Sequence, residues 1–166
     1  MKILVTGAAG FIGAAVSQRL LDRGDVVVGL DNLNPYYDVA LKEARLDRLS
    51  NHERFSFHRV SLEDRESVDR VFSAGIDRVV HLAAQAGVRH SLDAPQDYID
   101  ANVTGFLNVL ECLREHGTEH LVFASTSSVY GANTGMPFRE DDHTDHPVSL
   151  YAATKTYNIP GLSCGV

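Results

Sequence analysis

Two residues four positions apart, Tyr151 and Lys155, have the types and the spacing of an acid–base pair. On a helix they share one face. Tyrosine is a poor base near neutral pH because its reference pKa is about 10, but a neighbouring ammonium group favours the phenolate. The same spacing also occurs by chance on surface helices. Here Ser125, Thr126 and two further serines follow a predicted strand, so Thr126 can hold a substrate oxygen that Tyr151 deprotonates.

A glycine pattern near the start of the chain predicts a dinucleotide-binding turn. Gly7, Gly10 and Gly13 stand at G-x-x-G-x-x-G spacing between a predicted strand and a predicted helix. Glycine permits close approach of a pyrophosphate, whose charge the free N–H groups of the helix attract. Asp31 follows at the end of the second predicted strand, where a carboxylate accepts from a ribose diol and repels a 2′-phosphate, which favours NAD over NADP. The alternative is a glycine-rich turn with a capping acid.

Other polar residues allow more than one interpretation. Asn102 lies among apolar residues of a predicted helix, so it is expected to brace backbone near the cofactor rather than to react. His81 ends the fourth predicted strand and is expected near the cofactor, also without reacting. His143 and His146 lie three residues apart in an acidic loop, but no further ligands are fixed, so a solvated loop without a metal is favoured. Cys112 is expected to be a packing residue.

The elements that must position these residues alternate between short apolar runs and helical patterns. The runs are residues 2–6, 26–30, 55–60, 78–83 and 120–125, and they suit strands buried on both faces. The first helix is expected to pack through Ile12, Val16 and Leu20 and to stop at Gly24. A long helix from near Pro95 to Gly117 is expected to present one apolar face, made of Ile99, Val103, Phe106, Leu107, Leu110 and Leu113. The pattern predicts an α/β fold, a single domain with a doubly wound parallel sheet, and the long loop 131–147 at its binding edge.

Composition limits the class of partner. The chain has 166 residues, enough for one domain, and a formal net charge of −7, which argues against nucleic acid or an anionic membrane as partner. It has no apolar run of 18 residues, and glycines interrupt the signal-like opening segment. Cys112 and Cys164 form no disulfide framework or zinc pattern, so a reducing, cytoplasmic location is expected.

Six stretches together resemble one known family. They are TGAAGFIG, DNLNPYYDVALKEARL, HLAAQAGVRHSL, NVTGFLNVLE, FASTSSVYG and SLYAATK. They are similar to the extended short-chain dehydrogenases/reductases, whose NAD-binding fold is Rossmann-type, and within that family to the UDP-glucuronate 4-epimerases. The resemblance covers residues 1–155, and the stretches DNLNPYYD and QAGVRHSL are the ones specific to the subgroup.

The resemblance implies NAD as cofactor, UDP-glucuronate as substrate and a transient 4-keto sugar. It implies Tyr151 as base, Thr126 as the hydrogen-bonding partner of the 4-oxygen with Ser127 or Ser128 in support, and Lys155 on the nicotinamide ribose. We hypothesise that Arg89 contacts the carboxylate of the sugar. A homodimer is also possible. The implied cofactor-binding residues are Gly7, Gly10, Phe11, Ile12, Gly13, Asp31, Asn32, Ser61, Leu62, Leu82, Ala83, Ala84, Asn102, Ser125, Tyr151 and Lys155.

The chain departs from the family pattern in two places. Ser61 stands where the family usually has an aspartate that meets the adenine amine. After Lys155, residues 156–166 form a short atypical tail, and the family's C-terminal substrate domain is expected to be absent from this truncated chain. Pro160 is expected to end the last helix by about Ile159.

Two alternatives therefore stay open. One is a non-catalytic, truncated NAD-binding module. The other is a sugar-nucleotide 4,6-dehydratase, which is disfavoured because Ser127 and Ser128 cannot supply the acid–base pair that elimination needs.

Overall fold

A five-stranded parallel sheet forms the centre of the computed structural model, which describes residues 1–163, with side chains through Tyr157. The strand order is β3-β2-β1-β4-β5. Strands β1 and β2 are short apolar runs buried on both faces, as predicted, whereas β3 and β5 alternate between partly buried and exposed residues, so the prediction of two buried faces was wrong for these outer strands. The strands are β1 (Lys2–Thr6), β2 (Val26–Asp31), β3 (Phe55–Arg59), β4 (Arg78–His81) and β5 (His120–Phe123). This topology confirms the predicted doubly wound α/β fold.

Seven α-helices connect and flank the strands in the described part of the chain. Aspartates open two of them: Asp38 accepts from the Ala40 N–H and Asp64 from the Ser67 N–H. Gly117 ends α6 in the left-handed region, as predicted. The helices are α1 (Phe11–Asp22), α2 (Val39–Ser50), α3 (Arg65–Phe72), α4 (His90–Asp93), α5 (Pro95–Ile99), α6 (Gly105–His116) and α7 (Leu150–Ser163).

The core has one layer on each face of the sheet. On one face α3 and α6 cover the strands, and the buried side chains include Leu4, Val28, Val79, Phe72 and Phe106. On the other face α1 and α2 cover β1 to β3, and the buried side chains include Ile3, Val5, Val27, Leu21 and Leu49. The site residues lie at the edge where the parallel strands end.

The prediction for the buried face of α1 was wrong. The helix buries Gly13, Ser17 and Leu21, whereas Ile12 is 61% exposed. The physical reason is that α1 meets the glycine turn at Gly13, where a Cβ would overlap the Gly7 carbonyl oxygen, so the face one residue after Ile12 and Val16 lies against the sheet. Leu20 still packs partly against the core.

The predicted helix between Pro95 and Gly117 is interrupted by a π-helical turn, Asp100–Thr104. A π-turn places an extra residue in the turn, so the inward face shifts along the sequence. Phe106, Leu110 and Leu113 are buried as expected. Ile99 and Leu107 are exposed, which contradicts their assignment to the same face.

Helix α7 continues past Pro160 to Ser163, so the prediction that it ends by about Ile159 was wrong. A proline removes one backbone hydrogen bond of a helix but leaves the others in place. Helix α7 packs against α4, α5, the π-turn and the 3₁₀ turn Ser127–Tyr130, and these contacts support it on one side.

Part of one sheet face remains exposed over β4 and β5. Leu121 and Phe123 pack into the core with α3 and α6, so Val122 between them points to the opposite face, where it is 51% exposed. Val80 lies on the same face and is partly buried. Across the described residues, no helix is long and apolar enough to cross a membrane.

Candidate active site

The glycine turn connects β1 to α1 with little room for side chains. Gly7 has a φ of +71°, and a Cβ at this position would lie 2.8 Å from the Ala83 nitrogen. A Cβ at Gly13 would overlap the carbonyl oxygen of Gly7. Glycine is therefore required at the first position by conformation and by contact, and at the third position by helix-on-turn packing.

The amino end of α1 is open to a ligand. Its N-cap residue is Gly10, which offers no side chain to the first-turn N–H groups, and the first turn contains no acidic residue. The N–H groups of Gly7 and Ala8 are already bound by the Leu30 carbonyl, at 2.7 and 3.2 Å. An anion such as a pyrophosphate would therefore be held by the start of the helix itself.

Asp31 lies where the sequence analysis expected it, at the carboxyl end of β2 and beside the glycine turn. Its Oδ2 accepts from the Ala9 N–H at 3.2 Å, and its Oδ1 accepts from the Leu33 N–H at 2.9 Å. Each carboxylate oxygen has a second lone pair, so Asp31 can still accept hydrogen bonds from a ribose diol. The two backbone contacts fix its orientation.

Lys42 is a site residue that the sequence analysis missed. Its ammonium group donates to the backbone and side-chain oxygens of Asn34, both at 2.9 Å, and lies 3.9 Å from Asp31 Oδ1. Burial lowers the pKa of Lys42, and the Asp31 charge opposes this. The sequence did contain a signal for Lys42. It precedes Leu46 and Leu49 by four and seven residues, a spacing that places all three on the buried face of α2.

The end of the cleft beyond Asp31 is closed by the segment that follows β3. Asn32 donates through Nδ2 to the Ser61 hydroxyl at 3.2 Å, and Leu62 is buried. Asn108 fixes this segment by donating to the Leu62 carbonyl at 2.8 Å. The Ser61 hydroxyl can donate or accept one more hydrogen bond.

A cleft of about 810 Å³, open to solvent, joins these parts. Tyr36, Lys42 and Gln85 contribute to its wall although the sequence analysis did not select them. The predicted cofactor residues that line it are Gly7, Gly10, Asp31, Asn32, Leu62, Leu82, Ala83 and Ala84. Phe11 and Ile12 point their side chains to solvent, so only their main chains face the turn.

Thr126 lies three residues beyond β5 and caps the 3₁₀ turn. Its hydroxyl accepts from the Ser128 N–H at 3.3 Å and lies 3.4 Å from the Ser128 hydroxyl. Ser125 and Ser127 are exposed on either side of it. Helix α7 packs on this turn, which brings the hydroxyl run and the first turns of α7 to the same edge of the sheet.

Tyr151 and Lys155 lie one turn apart at the start of α7, as predicted. Lys155 is 3% exposed, and burial lowers its pKa from 10.5 to about 8. Neither a salt bridge nor a hydrogen bond to its ammonium group is found within the part of the chain whose side chains are described. A buried cation without a counter-charge is costly unless a ligand supplies the partner.

Asn102 lies in the π-turn and holds two parts of the site together. Its Oδ1 accepts from the Gln85 N–H at 2.8 Å, and its Nδ2 donates to the Gln85 carbonyl at 2.9 Å and to Thr154 Oγ1 at 3.1 Å. Thr154 in turn donates to the Tyr151 carbonyl at 2.9 Å. Asn102 thus connects the cofactor cleft to α7, in the bracing position that the sequence analysis expected.

The remaining candidates are an exposed arginine and the histidines of the long loop. Arg89 is exposed at the N-cap of α4, and its guanidinium group makes no hydrogen bond or ion pair with another described residue. His146 contacts Asp145 in the exposed loop, at 2.7 Å. A search of the described residues found no cluster of histidine, cysteine and carboxylate side chains suited to a metal ion. Cys164 lies outside the described residues.

Comparison with known proteins shows the family of this chain. The model of the NAD dependent epimerase/dehydratase family matches residues 3–159. An uncharacterized 37.6 kDa protein of Escherichia coli O111:H- is 56% identical over 159 residues, which are 95% of this chain and 47% of that protein. A probable UDP-glucuronate 4-epimerase of Rhizobium meliloti is 51% identical over 156 residues, covering 93% of this chain and 46% of that protein.

A solved structure has a similar fold. A variant of the UDP-glucuronic acid 4-epimerase of Bacillus cereus, in complex with UDP-4-deoxy-4-fluoro-glucuronic acid and NAD, superposes with a TM-score of 0.89 at 34% identity. The match covers 98% of this chain and 51% of that one. This chain therefore spans about half the length of the relatives it matches.

Proposed function

Because this chain belongs to the NAD-dependent epimerase/dehydratase family, we propose that it binds NAD and carries the acid–base residues of a UDP-glucuronate 4-epimerase. The proposal extends to this chain what the names of its relatives state. When bound, NAD supplies a reversible acceptor for the hydride at C4 of the sugar. The product is the C4 epimer, UDP-galacturonate.

The cleft fits this cofactor in three respects. The uncapped start of α1 offers N–H groups to a pyrophosphate, and the contact between Gly7 and Ala83 leaves backbone rather than side chains beside it. Asp31, oriented by Ala9 and Leu33, accepts from the ribose diol. Lys155 would hold the nicotinamide ribose with an ammonium group that has no other described partner.

The chemistry at C4 requires a base for the 4-hydroxyl and a donor for its oxygen. Tyr151 takes the proton of the 4-hydroxyl and returns it once the sugar has turned over. Lys155 lies one helical turn away and is the basic partner of Tyr151 in this proposal. Thr126, at the same edge of the sheet, donates to the 4-oxygen, with Ser127 or Ser128 in support. Arg89 is free to pair with the sugar carboxylate.

One observation carries the proposal: Lys155, one turn after Tyr151, is 3% exposed, and its ammonium group has no counter-charge among the residues whose side chains are described. A structural lysine in such a place would have a carboxylate or carbonyl partner. An unpaired one suits a site completed by a polar ligand, and its depressed pKa is typical of functional sites.

The test measures cofactor binding and turnover separately. Calorimetry with NAD on the purified chain is expected to show one site per chain, and Lys155→Met is expected to weaken it. UDP-glucuronate is then incubated with the NAD-loaded protein, and UDP-galacturonate is measured by proton NMR. Tyr151→Phe is expected to abolish turnover while leaving NAD bound, whereas Tyr157→Phe, on the exposed side of the same helix, is the matched control.

A non-catalytic NAD-binding module is the second candidate. The observation that favours it is the exposed face over β4 and β5. NAD binding with neither UDP-sugar binding nor turnover would select this function. Failure of wild-type protein to bind NAD would refute both proposals.

The 4,6-dehydratase remains the weaker enzymatic alternative. Ser128 already contacts the Thr126 hydroxyl and Ser127 is exposed, so neither provides the carboxylate pair that elimination requires. Formation of a 4-keto-6-deoxy sugar from a nucleotide-linked hexose would establish it.

A further inference from the structure

The hydroxyl of Thr6 joins the ends of two neighbouring strands. Thr6 is the last residue of β1 and is fully buried. Its Oγ1 accepts from the backbone N–H groups of Leu82 and Ala83, both at 3.1 Å, and the Leu82 N–H also reaches the Thr6 carbonyl at 3.2 Å. The same Oγ1 lies 2.9 Å from Nδ1 of His81, the last residue of β4.

These contacts determine which atom carries the proton between Thr6 and His81. A hydroxyl has one hydrogen and two lone pairs. The two backbone N–H groups occupy both lone pairs of Thr6 Oγ1, so the hydroxyl hydrogen is directed to His81 Nδ1. A nitrogen that accepts this hydrogen carries none itself. His81 is therefore neutral and protonated on Nε2.

The surroundings of the imidazole agree with a neutral ring. His81 is 2% exposed, and its ring centroid lies 5.2 Å from that of Phe106. Burial first, and the charge of Lys155 second, together lower the pKa of His81 from 6.5 to about 3. The other groups that contact the ring from β1 and α6, namely Thr6 and Phe106, carry no charge. The imidazole consequently stays neutral at any pH at which the protein would bind a cofactor.

The Thr6 hydroxyl holds a segment of backbone that is in close contact with the glycine turn. The Leu82–Ala83 backbone that it holds passes directly over Gly7, whose hypothetical Cβ would lie 2.8 Å from the Ala83 nitrogen. Gly7, Leu82 and Ala83 all line the cleft. The orientation of the Thr6 hydroxyl therefore sets the spacing between the Leu82–Ala83 backbone and the Gly7 turn.

We propose that His81 is a positioning residue that, as the neutral Nε2-protonated tautomer, orients the Thr6 hydroxyl and thereby fixes the Leu82–Ala83 backbone over the Gly7 turn for NAD. The ligand in this statement rests on the proposed function. The tautomer of His81 and the hydrogen bonds from the Leu82 and Ala83 N–H groups to Thr6 are properties of the protein alone. They can be tested without any cofactor.

The first test determines the tautomer in the cofactor-free protein. Long-range nitrogen–proton NMR spectra of protein labelled on histidine are expected to show a hydrogen-free Nδ1 and a protonated Nε2 for His81. The His81 signals are assigned by their loss in His81→Asn. A protonated Nδ1, or an imidazole that titrates between pH 5 and 8, would overturn the proposal.

The second test uses two matched pairs of variants. Thr6→Ser keeps the hydroxyl, and Thr6→Val removes it at nearly equal volume. His81→Asn keeps an acceptor at the position of Nδ1, and His81→Leu removes it. Thr6→Val, which lacks the hydroxyl, and His81→Leu, which lacks the acceptor, are both expected to speed hydrogen exchange of the Ala83 amide. Both are also expected to weaken NAD binding by about tenfold, as loss of about one hydrogen bond predicts. Thr6→Ser and His81→Asn are expected to stay within about twofold of wild type.

The outcomes separate the two proposals. Equal Ala83 exchange in Thr6→Val and Thr6→Ser, or no rescue by His81→Asn relative to His81→Leu, would overturn the positioning role. If wild-type protein binds no NAD, the proposed function fails, whereas the tautomer and the exchange rates still decide the role of His81. If His81→Leu does not fold, the tautomer of His81 and the difference in Ala83 exchange between Thr6→Val and Thr6→Ser together decide the positioning role.

Discussion

The ring of Tyr98 meets the ring of Tyr151 edge to face, with centroids 6.0 Å apart and an angle of 76° between the planes. Tyr98 is fully buried in α5, and its hydroxyl lies 2.7 Å from the Ala86 carbonyl oxygen and 2.6 Å from that of Gly87. Burial raises the pKa of Tyr98, so it remains a neutral donor. Tyr98 thus contacts the ring of Tyr151, the proposed base, and binds the backbone of the loop that leads to Arg89.

We expect Tyr98→Leu to lower the free energy of unfolding by about 3 kcal/mol, because a large buried side chain is replaced by a smaller one. Tyr98→Phe keeps the ring contact with Tyr151 and loses only the hydrogen bonds to Ala86 and Gly87, at about 1 kcal/mol. Urea denaturation measures both. Tyr157→Phe, whose side chain is 47% exposed, is the control and should cost almost nothing. Equal losses for the Leu and Phe variants would refute the importance of the ring contact.

The buried Lys155 predicts a stability that increases with pH. Its pKa is about 8 in the folded protein and 10.5 ordinarily, so folding disfavours the charged form. The free energy of unfolding is therefore flat below pH 8 and rises between pH 8 and 10.5, by about 1 kcal/mol from pH 8 to 9. Denaturant titrations at pH 7, 8 and 9 check this, and Lys155→Met should remove the rise.

The pH range of that experiment is limited by Cys112. Burial raises the pKa of the Cys112 thiol from 9.0 to about 11, so its contribution to stability is lost as the pH rises from 9 to 11. This change has the opposite sign to that of Lys155. The difference between wild type and Lys155→Met at pH 9 and below isolates the lysine, and a rise of equal size in both proteins would show that another group causes it.

A pair of glycine substitutions separates backbone strain from crowding. Gly7 and Gly75 have φ values of +71° and +76°, but a Cβ at Gly75 would have nothing within 4 Å. Each change to alanine should lower the free energy of unfolding by about 1 kcal/mol, because alanine disfavours the left-handed backbone conformation. Only Gly7→Ala should cost more, and it alone should abolish NAD binding, because its Cβ presses on Ala83. Calorimetry and thermal unfolding of the two variants test this, and equal behaviour would contradict it.

The exposed apolar residues predict self-association of this chain. Ile12 on α1 and Val122 on the edge strand β5 are 61% and 51% exposed. Edge strands and apolar patches favour association. We expect the double variant Ile12→Lys with Val122→Lys to lower the weight-average mass in sedimentation experiments without changing the fold. Leu41→Lys, at a 52% exposed position on α2, is the control. An equal reduction by the control would assign the effect to net charge alone.

Local rules were sufficient to predict much of this protein from its sequence. The five strands, the glycine turn, Asp31 at the end of β2 and the pair on α7 all depend on neighbours within a few residues. Glycine is demanded by a turn, β-branched runs favour strands, and residues four apart share a helix face. Residues that follow the carboxyl ends of parallel strands lie at the same edge of the sheet, so the approximate position of the site was also predictable.

Contacts between distant residues were decided only by the tertiary structure. The close approach of α1 to the glycine turn shifted the buried face of that helix by one residue, and the π-turn shifted the face of the next long one. Lys42 became part of the site because α2 packs beside Asp31. The hydroxyl of Thr6 meets His81 across 75 residues of sequence. A propensity or a spacing describes one segment, whereas a buried hydrogen bond between two strands exists only after packing has brought them together and excluded water.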